Sequence, residues 1–509
     1  MGNFFVSAAL FLLSFCVRFA LIGKGAYHYD VAELILAVQR SIDGQGMQYM
    51  HGAGYPLHVL IASLFIRVFQ PPVFAVNFMA VLAGSLSVPL LFEAVRKLID
   101  SRTALFSALL FSVFPAFLSA SVYGINNSVS VLFALASFVF MIDAVSSGKR
   151  SLFLVSGILF GCCVSVRLPD ALFILPLSAL VFLYKKTYAR ADISFFLVPW
   201  ILIPAACYAP LMAHGGVGSI LDALTSQTQG KFGGIVSPVF GLSLGWLNDM
   251  LTVPGIALAG AGAWLLYRNR LFPVLLIWFL VFFLYYGNVL TVEPRMLIMA
   301  GIPALVLAGY SLARLYQPHR LTAVVLAVLT GTFMLAPLLP VLWFRHQHAQ
   351  IQEYFTWLAS ETEPGSAVIA TDNGIFLELY ARGRVHLSHP DTCDRQRMLD
   401  FFSREVDPRL DAGIPVYLIS SAFQYDGCDM FRKTLEERYE LVFKGSHQNE
   451  DWHHHCLTAG VYDDPLVKIE SKGGDINGDR SSGGGTCRAD SGMGAAGARE
   501  SGPTADNGH

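Results

Sequence analysis

Twelve apolar runs, most of them long enough to cross a bilayer, constrain this chain more than any other feature of its sequence. They fall at about 4–22, 55–69, 74–95, 103–122, 128–145, 151–166, 168–184, 193–213, 251–267, 271–289, 296–313 and 321–344. A spanning helix needs roughly 17–25 apolar residues, and inside lipid its backbone polar groups must be satisfied within the segment. The charge content agrees with that reading. Asp, Glu, Lys and Arg make up 14% of the 509 residues, against about 25% in a soluble globular protein. That leaves too little polar surface to wrap a water-soluble body of this size. The net charge is −2 and no basic face is clustered, so nothing points to nucleic acid as a partner.

Charge sets the orientation. Arg96, Lys97 and Arg102 share one short connection. Lys149 with Arg150, Lys185 with Lys186 and Arg190, Arg268 with Arg270, and Arg314 with Arg320 mark four others. Cytoplasmic loops collect Lys and Arg, so all five clusters go inside. This is self-consistent if 55–69 does not cross. That run is short, contains Pro56, His58 and Arg67, and reads as a helix lying in or dipping into the outer interface. The predicted fold is mainly α: a polytopic transmembrane helical bundle of about eleven spans, with a cytoplasmic N-terminus and a small extracytoplasmic α/β domain at the C-terminus. Twelve crossings would put one end on the wrong side of the charge rule. The N-terminal run lacks a basic n-region and a small-x-small cleavage site, and reads as a retained first helix rather than a signal peptide.

Three regions follow. Residues 1–345 form the transmembrane part, with a first outer loop at 24–72 that holds interfacial helices and a second, glycine-rich outer loop at 214–250. Loops this long in a compact protein are functional or disordered as a rule. Residues 346–465 alternate helix and strand signals: helices at Gln350–Ser360, Arg397–Val406 and Met430–Tyr439, strands at Ala367–Thr371, Val416–Ser420 and Cys456–Tyr462. One disulfide can form among Cys393, Cys428 and Cys456, with the pairing open. Residues 466–509 are rich in Gly, Ser and Asp, cannot offset their ordering entropy, and are expected to be disordered.

Polar residues with chemical potential gather at the outer face. A helix is predicted from Val31 through Ile42, and Asp30 and Glu33, three apart, share its first turn. Asp30 is a good N-cap and Glu33 completes a box-like arrangement. That structural role is compatible with a catalytic one, because a capping carboxylate still presents a second oxygen. His51-Gly52-Ala53-Gly54-Tyr55-Pro56 reads either as a turn before the interfacial helix or as a pocket wall. Arg295 follows Glu293-Pro294 at the start of a late span, and Arg167 closes an earlier one beside Asp170, where a salt bridge or snorkelling competes with a binding role. Arg18 is the single charge inside the first span, and either snorkels to the surface or marks function. Lys231 lies in the second loop and is read as exposed. His453-His454-His455 would alternate faces on a strand and make a poor chelate. Asn126-Asn127-Ser128 fits a glycosylation acceptor, a triplet common by chance.

Asp30-x-x-Glu33, an amphipathic helix, and then His51-Gly-x-Gly-Tyr55-Pro56 leading into Leu57–Phe65 resemble the first loop of the GT-C superfamily of membrane glycosyltransferases. The pattern is most similar to the protein O-mannosyltransferase-like branch, with its D-x-G-E and H-P-P-G-Y-P, and to the lipid A aminoarabinose transferases. Ala32 stands where that pattern has Gly, and Gly52-Ala53 where it has Pro-Pro. The resemblance covers about residues 1–345. It implies transfer of a hexose or pentose from a polyprenyl-phosphate-linked donor to a protein, lipid or glycan acceptor at the outer face of a bacterial inner membrane, with inversion. Asp30 would be the base and Glu33 its orienting partner. Arg295 and Arg167 would bind the lipid phosphate, and His51 and Tyr55 would line the pocket. No cofactor is assigned, and Asp30 and Glu33 offer a place for a divalent cation. The rivals are a lipid or solute transporter and a non-catalytic assembly factor. No internal repeat of the transporter kind is visible.

Overall fold

The computed structural model describes residues 2–44, 55–183, 190–228, 239–287, 293–371, 373–390, 392–423, 426, 428–451, 457 and 460–472. The membrane part contains α1 (Gly2–Ala20), α2 (Tyr29–Ile42), α3 (Pro56–Val68), α4 (Pro72–Leu98), α5 (Ser101–Ser112), α6 (Pro115–Ala120), α7 (Asn126–Ser147), α8 (Arg150–Val166), α9 (Ile174–Leu183), α10 (Ser194–Thr228), α11 (Val239–Leu266), α12 (Phe272–Tyr286), α13 (Ile298–Tyr316), α14 (Arg320–Leu335) and α15 (Leu339–Gln347). Local sequence sets the boundaries. Pro56 and Pro72 start α3 and α4, where a missing N–H costs nothing. Asp100 caps α5 by accepting from the N–H groups of Arg102 and Thr103, each at 2.9 Å. Gly148, at φ 67°, ends α7.

Among the described residues, five helices are long and apolar enough to cross a membrane, or six if α14 and the helices after it count as one bent span. Shorter apolar helices lie between them, including α3, α8, α9 and α12. Their outward faces carry exposed apolar side chains such as Leu321, Trp264, Val253 and Phe182, as lipid contact requires.

α13 is the central element. From Ile298 to Ala313 every residue but Leu307 is buried. Two close approaches hold it there. A Cβ on Gly309 would lie 2.2 Å from Ser107 Oγ on α5, and one on Gly262 of α11 would lie 1.9 Å from Leu307 O. The backbones therefore touch as small residues allow between membrane helices. The start of α13, where Arg295 sits, is fixed by this packing.

The C-terminal part contains α16 (Gln350–Glu361), α17 (Gly374–Tyr380), α18 (Arg395–Phe401), α19 (Asp407–Asp411) and α20 (Met430–Arg438), with strands β1 (Ala367–Ile369), β2 (Val385–Leu387), β3 (Val416–Leu418), β4 (Tyr439–Asp451) and β5 (Gly460–Ser471). They form one sheet in the order β2-β1-β3-β5-β4. β1 pairs parallel with both β2 and β3, and β5 pairs antiparallel with β3 and β4. Cys393 and Cys428 form a disulfide.

This part grips the first outer loop. Tyr27 Oη donates to Arg345 O at 2.6 Å, Lys24 Nζ reaches Gln347 O at 2.9 Å, and Arg40 of α2 pairs with Glu378 of α17. Arg345 and Glu450 pair at 2.8 Å, and both are fully buried.

Four expectations change. The second outer loop, expected at 214–250, is largely helical: α10 runs on to Thr228 and α11 begins at Val239, while 229–238, with Lys231, lie outside the described residues. Helix propensity penalties at Gly215, Gly216 and Gly218 are about 1 kcal/mol each and do not stop an apolar helix. The tail expected to be disordered from 466 is ordered through Ser471, because Leu466, Val467 and Ile469 complete the sheet. Strand β4 was not foreseen; its polar half, Lys444–Asp451, hides the period-2 signal. Asn126 and Asn127 are buried, so the triplet is closed to glycosylation in the folded chain. His453–His455 lie outside the described residues.

Removing Glu450 strands a buried guanidinium. Glu450→Ala is expected to cost about 3–5 kcal/mol, read as a lower melting temperature in detergent, with Glu450→Gln intermediate.

Candidate functional site

Asp30 is not the cap that the sequence suggested. α2 begins at Tyr29, and its N-cap is His28, whose Nδ1 accepts the Asp30 N–H at 3.0 Å. Asp30 therefore sits inside the first turn with its carboxylate directed away from the helix backbone. Glu33 follows about one turn later, half-buried. Because His28 Nδ1 is an acceptor, the ring is the neutral Nε2–H tautomer, and Nε2 faces Glu293 Oε2 at 3.8 Å.

The partner of Asp30 comes from the far end of the membrane part. Arg295 Nη1 donates to Asp30 Oδ2 at 2.6 Å, across 265 positions of sequence. Arg295 lies in a short 3₁₀ turn, Pro294–Leu297, that leads into α13. Its Nε and Nη2 donate to the two oxygens of Glu293 at 2.5 and 3.2 Å, and its carbonyl accepts from Asn127 Nδ2 at 3.1 Å. Only 8% of the residue is exposed. Burial raises the Glu293 carboxyl, but the charge and hydrogen bonds of Arg295 overcome it, so Glu293 is held below its usual range.

A second pair lies beside the first. Arg167, at the end of α8, donates from Nη1 to Asp170 Oδ1 at 3.0 Å and sits 5.2 Å from the centre of the Tyr286 ring. Ser130 of α7 donates to the other oxygen of Asp170. Tyr55 bridges the two pairs electrostatically. It is nearly buried, and burial pushes its phenol up to about 12, with Arg167 and Arg295 pulling down and Asp30 and Asp170 pushing up. Its backbone is left-handed, φ 47° and ψ 50°, an uncommon conformation for a bulky residue and one that delivers the ring into this cluster ahead of Pro56.

Asp30, Tyr55, Arg167 and Arg295 lie near one another, with Glu33 about one turn along α2 from Asp30. His51 lies outside the described residues. Arg18 does not snorkel. It is fully buried, bonded to Ser14 Oγ at 2.6 Å and Ser121 Oγ at 2.8 Å, and packed over Phe117. His28, Glu293, Asp170, Ser130 and Asn127 were missed as members of the cluster. Glu293 carried a signal, since a buried arginine two residues after an acid needs that acid. Among the described residues no three of His, Cys, Asp and Glu gather as a metal site. The cation facing Asp30 is a guanidinium, so the donor set does not fit a resident metal at Asp30 and Glu33.

The fold is similar to that of solved membrane glycosyltransferases, and part of the chain matches a family model. The family model that matches, over residues 51–213, is dolichyl-phosphate-mannose-protein mannosyltransferase. Among solved structures, ArnT from Cupriavidus metallidurans in the apo state aligns with a TM-score of 0.61 at 13% identity, over 92% of this chain and 98% of that one. The same protein bound to undecaprenyl phosphate gives 0.59 at 13% identity over the same shares. The oligosaccharyltransferase AglB from Archaeoglobus fulgidus, in complex with an inhibitory peptide and a dolichol-phosphate, gives 0.53 at 13% identity, over 86% of this chain and 72% of that one. No curated protein sequence matches.

His28→Ala removes the cap of α2 and is expected to destabilise the fold by about 1 kcal/mol, with His28→Asn recovering most of it. Thermal unfolding of the two purified variants checks this.

Proposed function

We propose that the chain transfers a sugar from a polyprenyl-phosphate-linked donor to a hydroxyl of a protein, lipid or glycan acceptor at the outer face of the cell membrane, with inversion. The observation that carries this reading is the 2.6 Å contact of Arg295 Nη1 with Asp30 Oδ2. It sets a carboxylate and a guanidinium side by side, both largely buried, where α2 and α13 begin.

Asp30 takes the proton of the acceptor hydroxyl, which must lie within hydrogen-bond reach of it. The acceptor oxygen attacks the anomeric carbon from the face opposite the phosphate, and one displacement inverts that centre. The bond from the anomeric carbon to the phosphate oxygen breaks, and its electron pair stays on the phosphate. Arg295 receives that charge. A guanidinium has five N–H groups in a planar fork. Among the described residues, three are engaged by Asp30 and Glu293, and one on each terminal nitrogen is left for a phosphate. Tyr55 and Arg167 form the adjoining wall, and Glu33 orients the acceptor. No cofactor is established, and no step is routed through a metal.

The topology consistent with this chemistry has eleven crossings: α1, α4, α5 with α6, then α7 to α13, then α14. α2 and α3 lie on the outer surface. Arg96 and Lys97 at the end of α4, and Arg314 at the end of α13, then face the cytoplasm. The sheet and its helices, 346 to about 471, form an extracytoplasmic α/β domain over the site. The Cys393–Cys428 disulfide supports that side, because such bonds persist in oxidising compartments.

Purified protein given a panel of polyprenyl-phosphate sugars is expected to release polyprenyl phosphate. Asp30→Asn, which keeps shape but loses the base, is expected to fall by about 10²–10⁴-fold. Equal release by the variant would remove Asp30 from the mechanism. In sealed right-side-out vesicles, a membrane-impermeant maleimide is expected to label Cys393 and Cys428 only after reduction. Labelling restricted to inverted vesicles would reverse the topology.

A further inference from the structure

Arg295 faces two carboxylates, and the proposed chemistry uses only one of them. Glu293 has the larger hold. It takes the side-on edge of the guanidinium through both of its oxygens, at 2.5 and 3.2 Å, while Asp30 takes a single nitrogen. Asn127 fixes the backbone that carries the arginine, and the side chain is largely buried. Among the described residues, the other polar group near Glu293 is His28, neutral in this geometry. The neighbouring Arg167–Asp170 pair balances itself. Arg295, Asp30 and Glu293 together therefore carry a net charge of −1 before any ligand arrives. That is an odd balance for a site meant to hold a phosphate tightly.

The chemistry supplies a reason for it. The donor is a phosphodiester with one negative charge. The product, polyprenyl phosphate, is a monoester with about 1.5 to 2 charges near neutral pH, judged by the second ionisation of phosphate near 6. A fixed negative charge close to the phosphate penalises the product more than the donor. We propose that Glu293, acting through Arg295, weakens the site's hold on the leaving polyprenyl phosphate and so sets the rate of product release. Glu293 is a positioning and charge-balancing residue here, since it is bonded to Arg295 rather than to the reacting atoms. The inference rests on the reading that Arg295 receives the lipid phosphate.

Glu293→Gln tests it, because the amide keeps the shape and one acceptor oxygen while removing the charge. Inhibition by undecaprenyl phosphate is measured against donor KM in wild type, Glu293→Gln and Arg295→Ala, each first checked for a monodisperse gel-filtration peak and an unchanged melting temperature. Where Glu293→Gln melts early, Glu293→Asp, which keeps the charge, serves as the reference and is expected to behave as wild type. The expected result is that Glu293→Gln is inhibited about five- to tenfold more strongly by undecaprenyl phosphate, the order of one close charge in a partly screened site. Donor KM falls less, and kcat drops as release slows. Arg295→Ala is expected to lose inhibition. Unchanged or weaker inhibition of Glu293→Gln, with Arg295→Ala still impaired, would overturn the role of Glu293 alone. Full inhibition of Arg295→Ala would instead remove the phosphate from Arg295, and this inference with it.

Discussion

A guanidinium that is nearly sealed from water must have its charge answered by protein. That requirement organises the outer end of this molecule. Transferring Arg295 out of water carries a penalty of several kcal/mol unless it is paired and fully hydrogen-bonded. Glu293 and Asp30 supply the pairing, and Asn127 fixes the backbone that carries the arginine. The rest follows from placing those groups. α13 must be held tightly enough to fix its first turn, and the glycine contacts with α5 and α11 do that. α2 must begin two residues before an Asp30 cap would start it, and His28 makes that start available.

The catalytic reading grows from the same constraint. A carboxylate that serves as a base must not be locked into a neutral pair. A cation that receives a phosphate must not be wholly spent on carboxylates. Sharing one arginine between two acids meets both conditions partway: Arg295 still has donors to offer, and Asp30 holds only one contact to it. Tyr55, left-handed just before Pro56, lies within electrostatic reach of both this group and the second buried pair at Arg167 and Asp170. The Asp30→Asn and Glu293→Gln substitutions probe the two halves of the arrangement separately.

Much of this was legible in the sequence because it is written in long-range patterns. Apolar run lengths gave the helices, and Lys and Arg clusters gave the proposed sides. Asp30, Glu33, Tyr55, Arg167 and Arg295 stood out as polar residues at the ends of apolar runs. What stayed hidden depended on who meets whom. Nothing local shows that Asp30 faces Arg295, because packing of the whole bundle creates that contact. The capping role assigned to Asp30 failed because histidine is an unusual cap and the Asp–Glu spacing mimics a capping box. Arg18 looked like a residue near a helix end and is instead fully buried beside two serines, one of them in a distant turn. Strand β4 was missed because its polar half pairs along β5 without an alternating pattern.

The distance in sequence between Asp30 and Arg295 has a consequence for how the protein is made. The first acid leaves the ribosome long before the arginine that answers it, with most of the membrane helices still to be threaded into the bilayer. Until α13 inserts and docks between α5 and α11, the site is electrostatically incomplete. The clamp of Arg345 on Glu450 closes later still, once the final sheet has been synthesised. In the proposed mechanism, a chain interrupted before α13 docks lacks the Asp30–Arg295 pair, so assembly of the membrane part is itself the precondition for transfer.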